Sequence, residues 1–170
     1  MSEVDNSRNL RDTRLMFYRD DVERMNKVLQ EFLKLSGAKS TILVDKEGHP
    51  ITQVGEPPTF DLDTIAALVA ASFMATRELA RILGQAEFAI LTHQGERDHI
   101  QLNLVADRCI LTTMFNDATT VGMVRLYAQE TAKKLNKLFA EIAMRKEQPP
   151  ESLSEDWGED ADDTLKQVFG

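Results

Sequence analysis

One segment, residues 61–84, limits what this chain can fold into. It holds no proline, opens on Asp61 and closes on Gly84, so it reads as a helix with an acidic N-cap and a glycine stop. Ile65, Leu68, Ser72, Ala75, Leu79, Ile82 and Leu83 fall on one stripe, wide enough to cover a sheet. The opposite face of a surface helix is normally charged. Here that face begins Ala66, Ala67, Ala70 and Met74, and Arg77, Glu78 and Arg81 come only at its far end. A helix apolar on both sides is buried on both sides. A chain of 170 residues built on one sheet has no further layer of its own to cover the second side. The expectation is a partner, either a second copy or a different protein, and the small residues allow it a close approach. The apolar run 65–75, broken only by Ser72, is too short to span a bilayer and is flanked by Asp63 and Arg77.

The elements on either side define the sheet. Val22, Met25, Leu29 and Phe32 recur at helical spacing, widened by Val28 and Leu33, with Asp20 or Asp21 as cap and Gly37 as stop. Residues 40–45 and 50–54 read as two strands joined by Lys46-Glu47-Gly48-His49, a turn in which Gly48 permits positive φ. After the 61–83 helix come strands at about 88–94, 100–105 and 109–115, with turns at Gly95-Glu96-Arg97 and Ala106-Asp107-Arg108. A third helix runs from 121 to about 144 on a stripe of Val124, Ala128, Leu135, Leu138 and Ile142. Turns this short impose antiparallel pairing. The expected class is α+β: a five-stranded antiparallel sheet with helices on both faces, in the order α-ββ-α-βββ-α.

Charge divides the chain. There are 20 Lys plus Arg against 28 Asp plus Glu, a net of −8. Residues 151–170 carry seven acids (Glu151, Glu155, Asp156, Glu159, Asp160, Asp162 and Asp163) against Lys166, a net of −6, leaving −2 for the rest. Clustered Lys and Arg are what neutralise phosphates, so nonspecific nucleic-acid binding is not expected. Pro149-Pro150 cannot extend the third helix. Beyond it, about 160–169 is expected to form a short acidic-ended amphipathic helix, preceded by Trp157, with Leu165, Val168 and Phe169 near one face. A solubilising tail has no use for aromatics at helical spacing, so this tail reads as a groove-binding segment. The expected division is a loose arm at 1–18, a domain at 19–145, and a linker with tail at 146–170. The first residues lack the basic and apolar regions of a signal peptide, so a cytoplasmic protein without membrane insertion is expected.

Enzymatic signatures are missing. Neither G-x-x-x-x-G-K-[ST], G-x-G-x-x-G nor G-x-S-x-G occurs. The single cysteine, Cys109, lies in an apolar strand and reads as core. Asp61 and Asp63 sit at a helix start, where capping and the helix dipole account for them. His93 and His99 flank one turn and could meet across a hairpin, but no third firm ligand is at hand. The expectation is no catalytic residue, no cofactor and no metal.

Several strings in order resemble the Roadblock / dynein light-chain superfamily, and within it the bacterial MglB type. They are Leu43-Val44-Asp45-Lys46-Glu47-Gly48, the 61–84 helix ending Leu79-Ala80-Arg81-Ile82-Leu83-Gly84, and His93-Gln94-Gly95-Glu96-Arg97 after Phe88. Phe115-Asn116-Asp117 then precedes Gly122-Met123-Val124-Arg125-Leu126. The likeness spans about residues 19–142, with a looser match at Leu165-Lys166-Gln167-Val168-Phe169. It implies a profilin-like Roadblock fold and a homodimer in which second helices pack antiparallel and third strands pair. It also implies a partner, a small Ras-like GTPase of the MglA type that governs cell polarity and gliding motility, and hence concentration at a cell pole. The dimer would stimulate hydrolysis by repositioning the GTPase's own catalytic residues, without an arginine finger. Carried over by position, the GTPase platform is Ala67, Ala70, Ala71, Met74 and Glu78, and the tail contact is Trp157, Leu165, Val168 and Phe169. Similar proteins tend to have smaller residues at the positions of Met74 and Glu78. The alternative reading is a dimeric adaptor that binds a GTPase or motor complex without stimulating hydrolysis.

Overall fold

A computed structural model of the chain describes residues 17–147. The expected tail contacts Trp157, Leu165, Val168 and Phe169, and the expected arm apart from Phe17 and Tyr18, lie outside the described residues. The elements are α1 (Arg19–Ser36), β1 (Ser40–Asp45), β2 (Pro50–Gly55), α2 (Leu62–Ile82), β3 (Ile90–Gln94), β4 (Asp98–Val105), β5 (Cys109–Asn116) and α3 (Val121–Glu147). The strands form one sheet in the order β2-β1-β5-β4-β3, antiparallel at every pairing. This is the α+β layout that the element order implies.

Period-two alternation sorts the side chains onto two faces. Leu43, Val105, Cys109, Leu111 and Phe115 point to one face, where α1 lays Met25, Leu29 and Phe32 and α3 lays Val124, Ala128, Leu135, Leu138 and Ile142. Ile42, Val44, Leu102 and Ile110 point to the other, which α2 covers alone with Ala66, Val69 and Phe73. One face thus carries two helices and the other carries one. β3 ends the sheet, pairs only with β4, and is no more than half-buried.

The α1 start differs from expectation. Tyr18 holds the N-cap position, and Asp21 serves from the third helical position by accepting the Tyr18 N–H at 2.8 Å. Asp21 is buried because Arg145 of α3 closes over it with two hydrogen bonds, at 3.0 and 2.7 Å. The guanidinium also lies 4.8 Å from the centre of the Tyr18 ring. That clamp joins the two helices on the doubly covered face. Its bonds hold the Asp21 carboxyl below its usual range.

Candidate functional site

The single helix on the other face is α2. Asp61 fixes its start by accepting the Thr64 N–H at 3.0 Å and the Thr64 hydroxyl at 2.6 Å. That is the capping role expected of it, and it accounts for its lowered carboxyl pKa. The side facing the sheet is built from Ala66, Val69, Ala70, Phe73 and Ala80. Three alanines let the helix lie close. At the β1–β2 turn the approach is closest: a Cβ added to Gly48, which has φ +91°, would lie 3.0 Å from the Ala67 Cα.

The expected orientation of this helix is therefore corrected. The stripe of Leu68, Leu79, Ile82 and Leu83, assigned above to the sheet, faces outward, with 59%, 52%, 67% and 59% of each residue exposed. Ala66 and Ala70, assigned to the outer side, are buried beneath. Both sides are apolar, so hydrophobicity does not rank them; fit does. Ala66 and Ala70 let the inner side come close to the sheet and turn, where Val69 and Phe73 enter the core, and Leu68, Leu79, Ile82 and Leu83 are left for whatever covers them.

Of the platform residues, Ala67, Ala71, Met74 and Glu78 are exposed on α2, whereas Ala70 lies under them. Glu78 is tied to Arg81, whose Nε lies 3.1 and 3.0 Å from the two carboxylate oxygens. The pairing lowers the carboxyl pKa and raises that of the guanidinium. Beside them a cleft of about 210 Å³ opens between α2 and the end of the sheet. Its walls are Ala70, Phe73, Met74, Leu104 and Ile110, and its rim carries Lys46 and Arg77. Lys46 Nζ reaches Asp107 Oδ1 at 2.8 Å and holds that carboxyl below its usual range, helped by the nearby Arg77 charge. A shallower groove of about 400 Å³ shares Met74 and Arg77 and continues past Glu78 and Arg81 to Gln85 and Ala86. The cleft was not legible beforehand, because Lys46, Leu104 and Ile110 come from three separate segments.

The histidines do not meet. His93 pairs with Ile100 and His99 with Gln94, so register sends the two rings to opposite faces of the sheet. His99 Nε2 instead lies 3.2 Å from Asp117 Oδ1, with its ring against Phe115. Among the described residues, Asp45, Glu47 and His49 bring ligand-type atoms within 4.8 Å of one another. Asp45 Oδ1 there accepts the N–H groups of Glu47 and His49 at 2.9 Å each, which organises the β1–β2 turn. Cys109 is buried, and burial pushes its thiol pKa up to about 12, which makes it an inert core residue.

Such a surface is suited to recognition. It offers an apolar helix face, a free sheet edge and a cation-rimmed cleft. A Roadblock/LC7 domain model matches residues 24–115. Myxococcus xanthus MglB is 31% identical and superimposes with a TM-score of 0.67, over 69% of this chain and 96% of that one. The gliding protein MglB of Thermus thermophilus is 32% identical with a TM-score of 0.70, over 75% of this chain and 96% of that one. Acanthamoeba castellanii profilin II, 13% identical with a TM-score of 0.52 over 66% and 97% of the two chains, shares the fold alone. No curated protein matches significantly. No helix among the described residues is long and apolar enough to cross a membrane.

Proposed function

The chain belongs to the Roadblock/LC7 domain family and is MglB-like, and we propose that it is a homodimeric regulator of a small Ras-like GTPase of the MglA type. The observation that carries the dimer is the outward stripe of Leu68, Leu79, Ile82 and Leu83 on α2. A large apolar stripe on α2, together with an edge strand β3 that pairs on one side only, is the kind of surface a second copy would cover. In this reading the α2 helices pack antiparallel and the β3 strands pair, giving one continuous sheet across the dimer. The likeness to the gliding protein MglB supports a role in cell polarity and motility.

The platform for the GTPase is α2, through Ala67, Ala71, Met74 and Glu78, with Ala70 shaping it from below. The domain at 19–145 forms the dimer. The tail at 146–170 adds a second contact through Trp157, Leu165, Val168 and Phe169. Stimulation comes from repositioning the GTPase's own catalytic residues, so none of Arg77, Arg81 and Arg97 is an arginine finger. A finger is worth about 10³–10⁵ in rate. Single-turnover GTP hydrolysis by an MglA-type GTPase tests the proposal. The dimer should raise the rate, and the Ala variant of each arginine should keep most of the effect. Absence of any rise with a GTPase that binds the dimer would sink the activating role.

The adaptor reading rests on Met74 and Glu78. Met74 is 65% exposed, and Glu78 forms an ion pair with Arg81 on the same helix. Bulk and charge at those positions would favour binding without rearrangement of the GTPase. It predicts affinity that ignores the bound nucleotide and an unchanged hydrolysis rate.

A further inference from the structure

The cleft beside α2 has an apolar floor of Phe73, Leu104 and Ile110, a lip of Met74, and a rim of Lys46 and Arg77. Its occupant should pair a large apolar group with nearby acids. We propose that this occupant is the chain's own C-terminal segment, residues 155–169, docked as an acidic amphipathic element. The inference does not rest on the GTPase reading.

Three features of the chain support it. First, chemistry matches: Phe169, Val168 and Leu165 can fill the floor while the acids at Asp160, Asp162 and Asp163 approach Arg77 on the rim. Second, charge matches: residues 151–170 carry a net −6, and at the rim Lys46 and Arg77 outnumber the Asp107 that Lys46 pairs with. Third, reach suffices. Residues 148–159 span about 41 Å when extended, at roughly 3.4 Å each, and the helix expected at 160–169 adds about 15 Å. A domain of this size is about 36 Å across, from a radius of gyration near 14 Å. The segment can therefore pass from the end of α3 around the sheet to the opposite face.

Tethering makes a modest site sufficient. A linked segment sees an effective concentration of about 1 mM, so a site with an intrinsic Kd of about 0.1 mM is roughly nine-tenths filled. Docking would cover Met74, so the segment and any partner that uses Met74 compete for the same surface.

The test uses methionine oxidation in the full chain. Met74 and Met144 are 65% and 70% exposed in the body, so without the tail they should react with dilute peroxide at similar rates. With the tail docked, Met74 should react about tenfold more slowly than Met144, as a nine-tenths occupied contact requires. The double substitution Leu165→Ser with Phe169→Ser lies outside the described residues, and Arg77→Glu changes an exposed side chain. Each should restore Met74 to the Met144 rate, and light scattering should find the oligomeric state unchanged. Raised salt should speed Met74 alone. Equal rates in the unaltered chain would overturn the proposal. So would a slow Met74 in every protein, since a second copy would then be the cover. Release by the tail substitutions but not by Arg77→Glu would overturn the assignment to this cleft.

Discussion

Leu79→Ala is the sharpest test of the α2 surface, because the structure sets both the size and the sign of its effect. Leu79 is 52% exposed, so a partner that covers it removes about half the side chain from water. Full burial of a leucine is worth about 1.5–3 kcal/mol, so half is roughly 1 kcal/mol. A two-fold interface presents each residue twice, which doubles the loss to about 2 kcal/mol. The dimer Kd should rise about thirtyfold. Leu79→Asp adds the desolvation of a charge in each copy and should leave only monomer. Sedimentation equilibrium across a dilution series reads the Kd, and circular dichroism checks that each monomer stays folded. Leu126→Ala is the control: Leu126 is 51% exposed but lies on α3, across the sheet. A Leu79→Ala dimer within about threefold of the unaltered Kd, or an equal loss from Leu126→Ala, would refute the reasoning.

Further predictions follow from the same surfaces. Met74→Arg should weaken GTPase binding by about tenfold or more without affecting the dimer, since a buried unpaired charge costs well over 1.4 kcal/mol; unchanged affinity would move the platform elsewhere. Cys109, with its thiol pushed up to about 12, should resist a thiol reagent at pH 8 until denaturant is added; rapid labelling of the folded protein would contradict its burial. Asp21→Asn should lower Tm by several degrees at pH 7. The Arg145 guanidinium depresses the folded-state pKa of Asp21, so its stabilisation is fully present above the unfolded value near 4 and is lost as pH falls through the folded value. The Tm gap between the two proteins should therefore close in acid, and a gap that persists there would show that the charge is not what matters.

Much of the fold was legible because local signals agreed. Gly37 and Gly48 sit where positive φ is needed, at +72° and +91°. Asp61 caps α2, and the α3 stripe Val124, Ala128, Leu135, Leu138 and Ile142 is buried throughout. The Asp21–Arg145 clamp was not legible. Its partners stand at opposite ends of the domain, and no local pattern distinguishes a buried aspartate at a helix start from a solvated one. The same limit hid the cleft, whose cations and floor come from α2, β4, β5 and the β1–β2 turn. Strand register undid the paired histidines, since His93 and His99 could share a face only if the hairpin slipped by one residue.

The α2 helix marks the boundary between what pattern can and cannot fix. That both sides are apolar follows from the residues alone, and it requires a cover beyond a single-sheet domain. Which side meets the sheet does not follow, because transfer free energy is nearly symmetric between the two stripes. Close approach breaks the symmetry. The turn holding Gly48 leaves no room for a leucine, so Ala66 and Ala70 must face inward and Leu68, Leu79, Ile82 and Leu83 must face out. The inward side is thus selected by steric fit, and the outward side is left with Leu68, Leu79, Ile82 and Leu83 more than half exposed as one apolar stripe. A sequence in which Ala66 or Ala70 became leucine would have to lift the helix from the sheet. The domain and its outer surface are therefore set by the same small residues.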